Sequence, residues 1–212
     1  LTWNLSGHVQ IRVTNLAGPN SVLGGIFFGG TSTSPSTSAT FVGTDTTTRG
    51  NWQTVYGSDG YSLSQGAVSL PSYAQVALAG QADWVWAGST SDPRALQKPG
   101  ASDRLAATWY AGSSFTVDLN LTGSQSRQVA LYLVDWDGGN RSERLEVLDA
   151  STGQVLDTRT ASSFVNGQYL TWNLSGHVQI RVTNLAGSRN SVLGGIFFGG
   201  KDQDGWTLAG AK

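Results

Sequence analysis

Apolar and polar residues alternate along most of this chain, and the alternation predicts β-strands. Residues Ser114–Leu121 place Phe115, Val117, Leu119 and Leu121 on one face, as in a strand with one buried side. Gln128–Trp136 is a nearly continuous apolar run, which is typical of a strand covered on both faces. Further strands are predicted at Phe41–Val42, Tyr61–Leu63, Tyr73–Leu78, Trp84–Ala87, Arg104–Trp109, Arg144–Leu148, Val155–Thr160, Tyr169–Leu174, His177–Leu185 and Ser191–Phe198.

The predicted strands are short and are separated by turn residues such as Asp59-Gly60 and Asp137-Gly138. No stretch shows helical periodicity, and no repeat of a propeller blade's length is visible. This pattern predicts an all-β fold, a jelly-roll-like antiparallel β-sandwich. Trp109 and Trp172 lie in alternating strands and are predicted to be in the core or on a sheet surface.

A duplicated segment sets the domain organisation. Residues 1–30 and 170–200 have the same sequence except that Pro19 is replaced by Ser188-Arg189. We expect residues 1–30 to be the C-terminal hairpin of a preceding repeat. A Ser/Thr/Pro linker at 31–38, a complete domain at 39–200 and a tail at 201–212 follow it.

The first copy contains two predicted strands. Val9, Ile11 and Val13 alternate with polar residues, and Ser21–Phe28 is a second apolar run. An isolated hairpin is marginally stable in water. We therefore expect residues 1–30 to join an edge of their own domain or a neighbouring copy by strand addition or exchange.

Composition narrows the function classes. The chain has 13 Lys+Arg against 14 Asp+Glu, so it lacks the basic surface that nucleic-acid binding needs. It has no Cys, which excludes disulfides and thiolate metal sites, and no apolar run long enough to insert into a membrane. Low charge and abundant Ser and Thr favour a secreted or cell-surface protein.

The residue types argue against an enzyme. Glu143 and Glu146, the two glutamates, are three apart on a predicted strand and point to opposite faces, so they cannot form a glycosidase pair. His177 is the single histidine of residues 39–200, and no Gly-x-Ser-x-Gly motif accompanies it. We therefore predict no catalytic residues and no zinc.

Calcium is the one metal that the sequence leaves open, since it prefers clustered oxygen ligands. Asp45 with Thr46–Thr48 is one candidate group, and Asp135, Asp137 and Asn140 form another. Asp202-Gln-Asp-Gly205 imitates only part of an EF-hand loop. We expect no other cofactor.

Four segments resemble a recurring domain type: Thr44–Trp52, Val55–Tyr61, Val134–Asp137 and Gly195–Gly199. Residues 40–200 are similar to uncharacterised tandem domains of large bacterial extracellular proteins and to accessory domains attached to glycoside hydrolases. The resemblance implies a β-sandwich with a carbohydrate-binding role, in a secreted or cell-surface bacterial protein.

Aromatic residues supply the candidate ligand site, because Trp and Tyr rings pack on sugar rings while polar neighbours bond the hydroxyls. The alternative is that most of these rings fill the core. Asp137, which we place beside Trp136, has the competing role of a turn residue. The candidate ligand-binding residues are Trp52, Tyr56, Asp59, Tyr61, Trp84, Trp86, Arg94 and Asp137.

Two functions remain. The first is a non-catalytic carbohydrate-binding module, with a glycan or polysaccharide and neighbouring copies of the same repeat as partners. The alternative is a structural repeat (a spacer, adhesin stalk or fibre subunit) that assembles by strand addition through residues 1–30.

Overall fold

The computed structural model describes residues 1, 3, 5, 9–27, 36–187 and 189–200, which divide into two units, 1–33 and 34–212. The second unit is built from antiparallel strands, with a short 3-10 turn at Trp52–Thr54. The strands are β1 (Ser38–Asp45), β2 (Tyr56–Leu63), β3 (Val68–Ser69), β4 (Ala74–Ala79), β5 (Ala82–Thr90), β6 (Leu96–Gln97), β7 (Arg104–Ala111), β8 (Ser114–Leu121), β9 (Arg127–Leu133), β10 (Ser142–Asp149), β11 (Val155–Ser162), β12 (Gln168–Asn184), β13 (Ser191–Leu193) and β14 (Gly195–Gly200).

The long strand β12 belongs to two groups of strands. Its first half, residues 168–174, pairs with β1 and β9, and β9 continues through β14 and β2 to β3. Its second half, residues 176–184, pairs with β8 and β10, which lead to β4 and β11. A smaller sheet has the order β13-β7-β5, with β6 beside β7.

The main core lies where apolar side chains of both groups meet. Alternation along β8 buries Phe115, Val117 and Leu119 while the residues between them stay partly exposed. Trp172 and Ile180 from the two halves of β12 are fully buried in this core.

A second core covers the other face of β9 and β14. Its members include Trp52, Tyr56, Tyr132, Tyr169 and Phe197, packed by the segment that runs from the 3-10 turn into β2. The central strands are thus covered on both faces, which explains the near-continuous apolar run that begins at Gln128.

The structure confirms the all-β, sandwich-like fold class. Trp109 and Trp172 are both buried in the main core, as predicted. The strand predicted at Gln128–Trp136 ends earlier, at Leu133, because the Asp135 amide turns away to bond the Phe164 carbonyl. The strands predicted at Tyr169–Leu174 and His177–Leu185 are one continuous strand, β12.

The hairpin predicted within residues 1–30 needs a correction. No strand is formed among the described residues 9–27. In the second copy, the matching residues form β12, β13 and β14, which pair with other strands and not with one another. The first copy therefore lacks its pairing partners within its own sequence, and its origin in a preceding repeat stays a prediction. The predicted tail at 201–212 lies outside the described residues.

Within the described part of the chain, no helix has the length and apolar character needed to cross a membrane.

Candidate functional site

A cleft beside strand β1 is the main candidate site. It has a volume of about 290 Å³, just below the range that is typical of ligand pockets. Five strands contribute to it, since β1 and β9 flank β12 while β2 pairs with β14. We call it the β1 cleft, and its lining residues are Val42, Gly43, Thr44, Asp45, Val55, Tyr56, Gln128, Thr171 and Gly200.

Asp45 is the carboxylate of the β1 cleft. Its Oδ1 accepts hydrogen bonds from the Thr47 amide at 2.7 Å and the Thr48 amide at 3.1 Å, and the Thr47 hydroxyl also donates to it. Partial burial acts to raise the pKa of Asp45, but the hydrogen bonds from Thr48 and Thr47 outweigh it and lower the pKa to about 2. Asp45 is therefore a fixed negative charge at neutral pH.

Tyr56 joins Asp45 to the second core. Its hydroxyl donates to Asp45 Oδ2 at 3.0 Å, while its ring stacks on Tyr169 with 4.4 Å between centroids. Burial, followed by the nearby Asp45 charge, raises the pKa of Tyr56 above its ordinary value. The cleft therefore meets the neutral phenol, and the ring face itself is covered.

Gly200 makes room for the Gln128 amide in the same cleft. A Cβ at position 200 would overlap the Gln128 amide oxygen. Beside Gly200, the Ser58 hydroxyl donates to Asp59 Oδ1 at 3.2 Å, and the Gly200 carbonyl oxygen lies 3.4 Å from the same hydroxyl. The predicted residues Tyr56 and Asp59 thus lie on β2 near Gly200, with Asp59 held by the Tyr73 hydroxyl at 2.6 Å.

Two of the predicted ligand-binding aromatic residues, Trp52 and Tyr56, pack in the second core. Trp52 is only 3% exposed, packs between Tyr61 and Phe197, and donates its Nε1 hydrogen to the Gln97 carbonyl at 2.9 Å. Tyr56 is also buried, so only its hydroxyl side reaches the β1 cleft. Half-buried Tyr61 packs against Trp52 at a centroid distance of 4.7 Å.

The loop after β9 gathers three other predicted residues. The Arg94 guanidinium lies 4.5 Å from the Trp136 ring centroid and donates to the Trp136 carbonyl. Arg141 bonds both Asp135 and Asp137 and lies 5.7 Å from the Trp86 ring. These interactions occupy Arg94 and Asp137 within the protein. Gly138 has a positive φ of 64°, in agreement with the turn interpretation.

Trp84 lies apart from the second core and from the loop after β9. It is 55% exposed on β5, an edge strand of the small sheet, whereas Trp86 is half-buried against both cores. The register shift between Val85 and Ala87 interrupts the regular alternation there. The predicted pairing of Trp84 and Trp86 on one face is thus replaced by one exposed and one packed ring.

A second, smaller cleft lies on the polar face of β4, β8 and β12, with a volume of about 190 Å³. His177 Nε2 lies 2.8 Å from Asp118 Oδ1, and the Gln179 amide donates to Asp118 Oδ2. His177 is exposed, although it lies within the continuous strand β12 and does not begin a strand. The polar positions of β8 alternate with its core residues, so sequence alternation could have identified this face.

The residues proposed for calcium have other partners. Asp45 accepts hydrogen bonds from the Thr47 and Thr48 amides of its own turn. Asp135 and Asp137 both form ion pairs with Arg141. In the part of the chain that the structure describes, no three or more His, Cys, Asp or Glu side chains form a group that could hold a metal ion. Asp202–Gly205 lies outside that part.

No family model matches the chain, and no curated protein matches it. Among solved structures, the chain is similar to TmCBM61, a carbohydrate-binding module in complex with β-1,4-galactotriose. The identity is 13%, the match covers 60% of this chain and 84% of that chain, and the TM-score is 0.29. A likeness of this degree does not establish a ligand for this chain.

Proposed function

We propose that residues 39–200 form a non-catalytic carbohydrate-binding module that holds a neutral glycan in the β1 cleft. The observation that carries the proposal is the convergence of Asp45, Tyr56, Gln128 and Thr171 on one cleft of about 290 Å³. Hydroxyl, amide and carboxylate groups are the partners that sugar hydroxyls need, and Val42 and Val55 offer apolar contact. Secretion or display on a bacterial surface belongs to the same proposal.

The charge in the cleft favours a neutral ligand. Asp45 is the one ionisable carboxylate among the lining residues, and its pKa of about 2 keeps it negative at physiological pH. A uronic acid or a sulfated sugar placed beside it would meet a like charge. A single carboxylate also lacks the partner that glycoside hydrolysis requires, so we propose binding without catalysis.

A glycan array followed by calorimetry tests this function. We expect the full chain to bind neutral oligosaccharides, and Gln128→Ala to weaken the affinity by about tenfold, the effect of losing roughly one hydrogen bond. Trp84→Ala is the matched control, because Trp84 is exposed and does not line the β1 cleft.

Two results would contradict the proposal. If no glycan binds the full chain, the function fails. If Trp84→Ala abolishes binding while Gln128→Ala does not, the module binds glycans at β5 and the β1 cleft is not the site. Thermal melting of each variant shows that the fold is retained.

A second candidate function is the structural repeat that assembles by strand addition through residues 1–30. It is favoured by the apolar side chains of that segment, since Val9, Ile11, Val13, Val22 and Ile26 are all exposed in the first unit. Exposed apolar surface of this kind marks an interaction site. An empty glycan array together with a concentration-dependent mass in light scattering would favour this function.

A further inference from the structure

The two copies of the duplicated segment have opposite environments. Trp172, Ile180 and Phe197 are each 0% exposed in the domain. Their counterparts in the first copy, Trp3, Ile11 and Phe27, are 56%, 49% and 96% exposed. Burying such side chains stabilises a folded protein. The first copy therefore carries the same apolar side chains as the second without burying them.

The second copy occupies one well-defined position in the domain. Residues 170–200 supply most of β12 and all of β13 and β14, and these strands pair with β1, β2, β7, β8, β9 and β10. Every one of these partners lies outside the duplicated segment. A second segment with the same sequence can therefore make the same backbone ladders and fill the same core.

The single difference between the copies falls in a loop. Pro19 replaces Ser188-Arg189 between β12 and β13, so the strand residues are unchanged. The turn before it has the same local form in both copies. Asn15 Oδ1 accepts the Ala17 amide at 3.2 Å and Asn184 Oδ1 accepts the Ala186 amide at 2.9 Å. Gly18 and Gly187 then both have positive φ, 92° and 67°.

We propose that residues 1–30 can replace residues 170–200 in the domain of the same chain. The protein then has two folded forms. In one, residues 170–200 complete the domain. In the other, residues 1–30 complete it and the later copy is released.

The number of positions that can accept the duplicated segment favours exchange within one chain. Residues 1–200 contain one such position and two segments that fit it, so exchange between two copies of these residues releases one segment for each one it inserts. It gains no buried surface, yet it costs the translational and rotational freedom of association. Exchange within a chain carries no such cost.

The linker is long enough for exchange within a chain. Gly200 lies beside Gln128, near the start of β9. Gln128 is paired with Asn173 of β12, and Asn173 is paired on its other side with Thr40 of β1. The distance from β14 to β1 is three strand spacings, which is roughly 14 Å. Residues 31–37 follow the first copy, and seven extended residues reach roughly 23 Å.

Aspartate substitutions in each copy of the full chain test the exchange. Ile180→Asp places a charge at a fully buried position of the later copy, and Ile11→Asp makes the same change in the first copy. We expect Ile11→Asp to melt like the parent chain. We expect Ile180→Asp to stay folded and monomeric, because residues 1–30 complete its domain. The double variant should show no cooperative transition.

The alternatives give different results. If Ile180→Asp unfolds like the double variant, residues 1–30 cannot fill the position and the proposal is overturned. If Ile180→Asp folds only as a dimer or a larger species in light scattering, the exchange takes place between chains and the proposal is also overturned.

Disulfide trapping reports the exchanged form directly, since the chain has no cysteine of its own. Thr116 of β8 is opposite Arg181, and Arg12 is the counterpart of Arg181. In the Ile180→Asp background, we expect R12C/T116C to form an intramolecular disulfide about tenfold faster than R12C/T158C. Thr158 is opposite Glu146, one strand farther from Arg181, and serves as the matched control. Equal rates for the two pairs would contradict the exchange.

Discussion

Glu143 on β10 accepts the backbone hydrogen bond of Val192 on β13, with 2.7 Å between Oε2 and the amide nitrogen. The side chain is fully buried, and its other oxygen has no partner among the described residues. Burial raises the pKa of Glu143 to about 8, although the Val192 hydrogen bond and the Arg141 charge oppose the shift. The carboxyl group is therefore protonated in the folded protein at neutral pH. Glu146 lies on the other face of β10, where it accepts a hydrogen bond from Arg181 at 3.0 Å. Glu143 and Glu146 therefore do not form a carboxylate pair.

We expect the free energy of unfolding to fall as the pH rises from about 4.5 to 8. In this window the unfolded chain has released the Glu143 proton while the folded chain still holds it, so the unfolded state binds fewer protons. The contribution approaches roughly 1.4 kcal/mol per pH unit. Glu143→Gln keeps an acceptor for the Val192 amide and should remove this slope. Denaturant titrations of both proteins at pH 5, 6, 7 and 8 measure it, and parallel pH profiles would contradict the assignment.

Removing the Arg141 guanidinium should destabilise the fold strongly. Arg141 and Asp135 are both buried, with side chains 6% and 5% exposed, and they bond each other directly. Arg141→Met leaves the Asp135 charge buried without its cation, which costs about 3–5 kcal/mol. The matched control is Arg181→Met, because the Arg181 side chain is 43% exposed and Glu146 keeps Arg144 as a second partner. That change should cost less than about 1 kcal/mol in urea denaturation, and similar losses for both variants would be the contrary result.

Two tryptophans that the sequence proposes as ligand-binding residues should respond differently to truncation. Trp52 fills the second core, and Trp52→Ala should lower the free energy of unfolding by about 3–5 kcal/mol. Trp84 is exposed on an edge strand, so Trp84→Ala should change it by less than about 0.5 kcal/mol. Chemical denaturation of the two variants measures both values. A large loss for Trp84→Ala would show that β5 packs against something in solution.

The fold class follows from the sequence because alternation determines which side chains face a core. Along β8, the four residues predicted for one face are the four that are buried. Alternation does not determine which strands are neighbours. Ser38 of β1 meets Ser175 of β12 at 2.7 Å between hydroxyl oxygens, across most of the domain's sequence, and no local pattern encodes that pairing.

The candidate site was harder to predict than the fold for the same reason. The aromatic residues from Trp52 to Tyr61 are of the types that form a sugar-binding surface. Trp52 and Tyr56 instead pack on the second face of β9 and β14. Gln128 and Thr171 could not be singled out from the sequence, because β9 and β12 contain other polar residues and no local pattern marks these two. They become neighbours in the β1 cleft only when β9 pairs with β12.

Gly200 offers a way to separate the binding role of the β1 cleft from its stability. A methyl group there would meet only the end of the Gln128 side chain, which can move, so Gly200→Ala should shift the melting temperature by only a few degrees. The same methyl group displaces the Gln128 amide from the cleft, and we expect about a tenfold loss of affinity for the glycan that the parent chain binds. Gly112→Ala is the control, since a Cβ there meets only the Asn190 side-chain oxygen, at 4.0 Å. Calorimetry with both variants checks this, and unchanged affinity in Gly200→Ala would mean that the Gln128 amide does not hold the ligand.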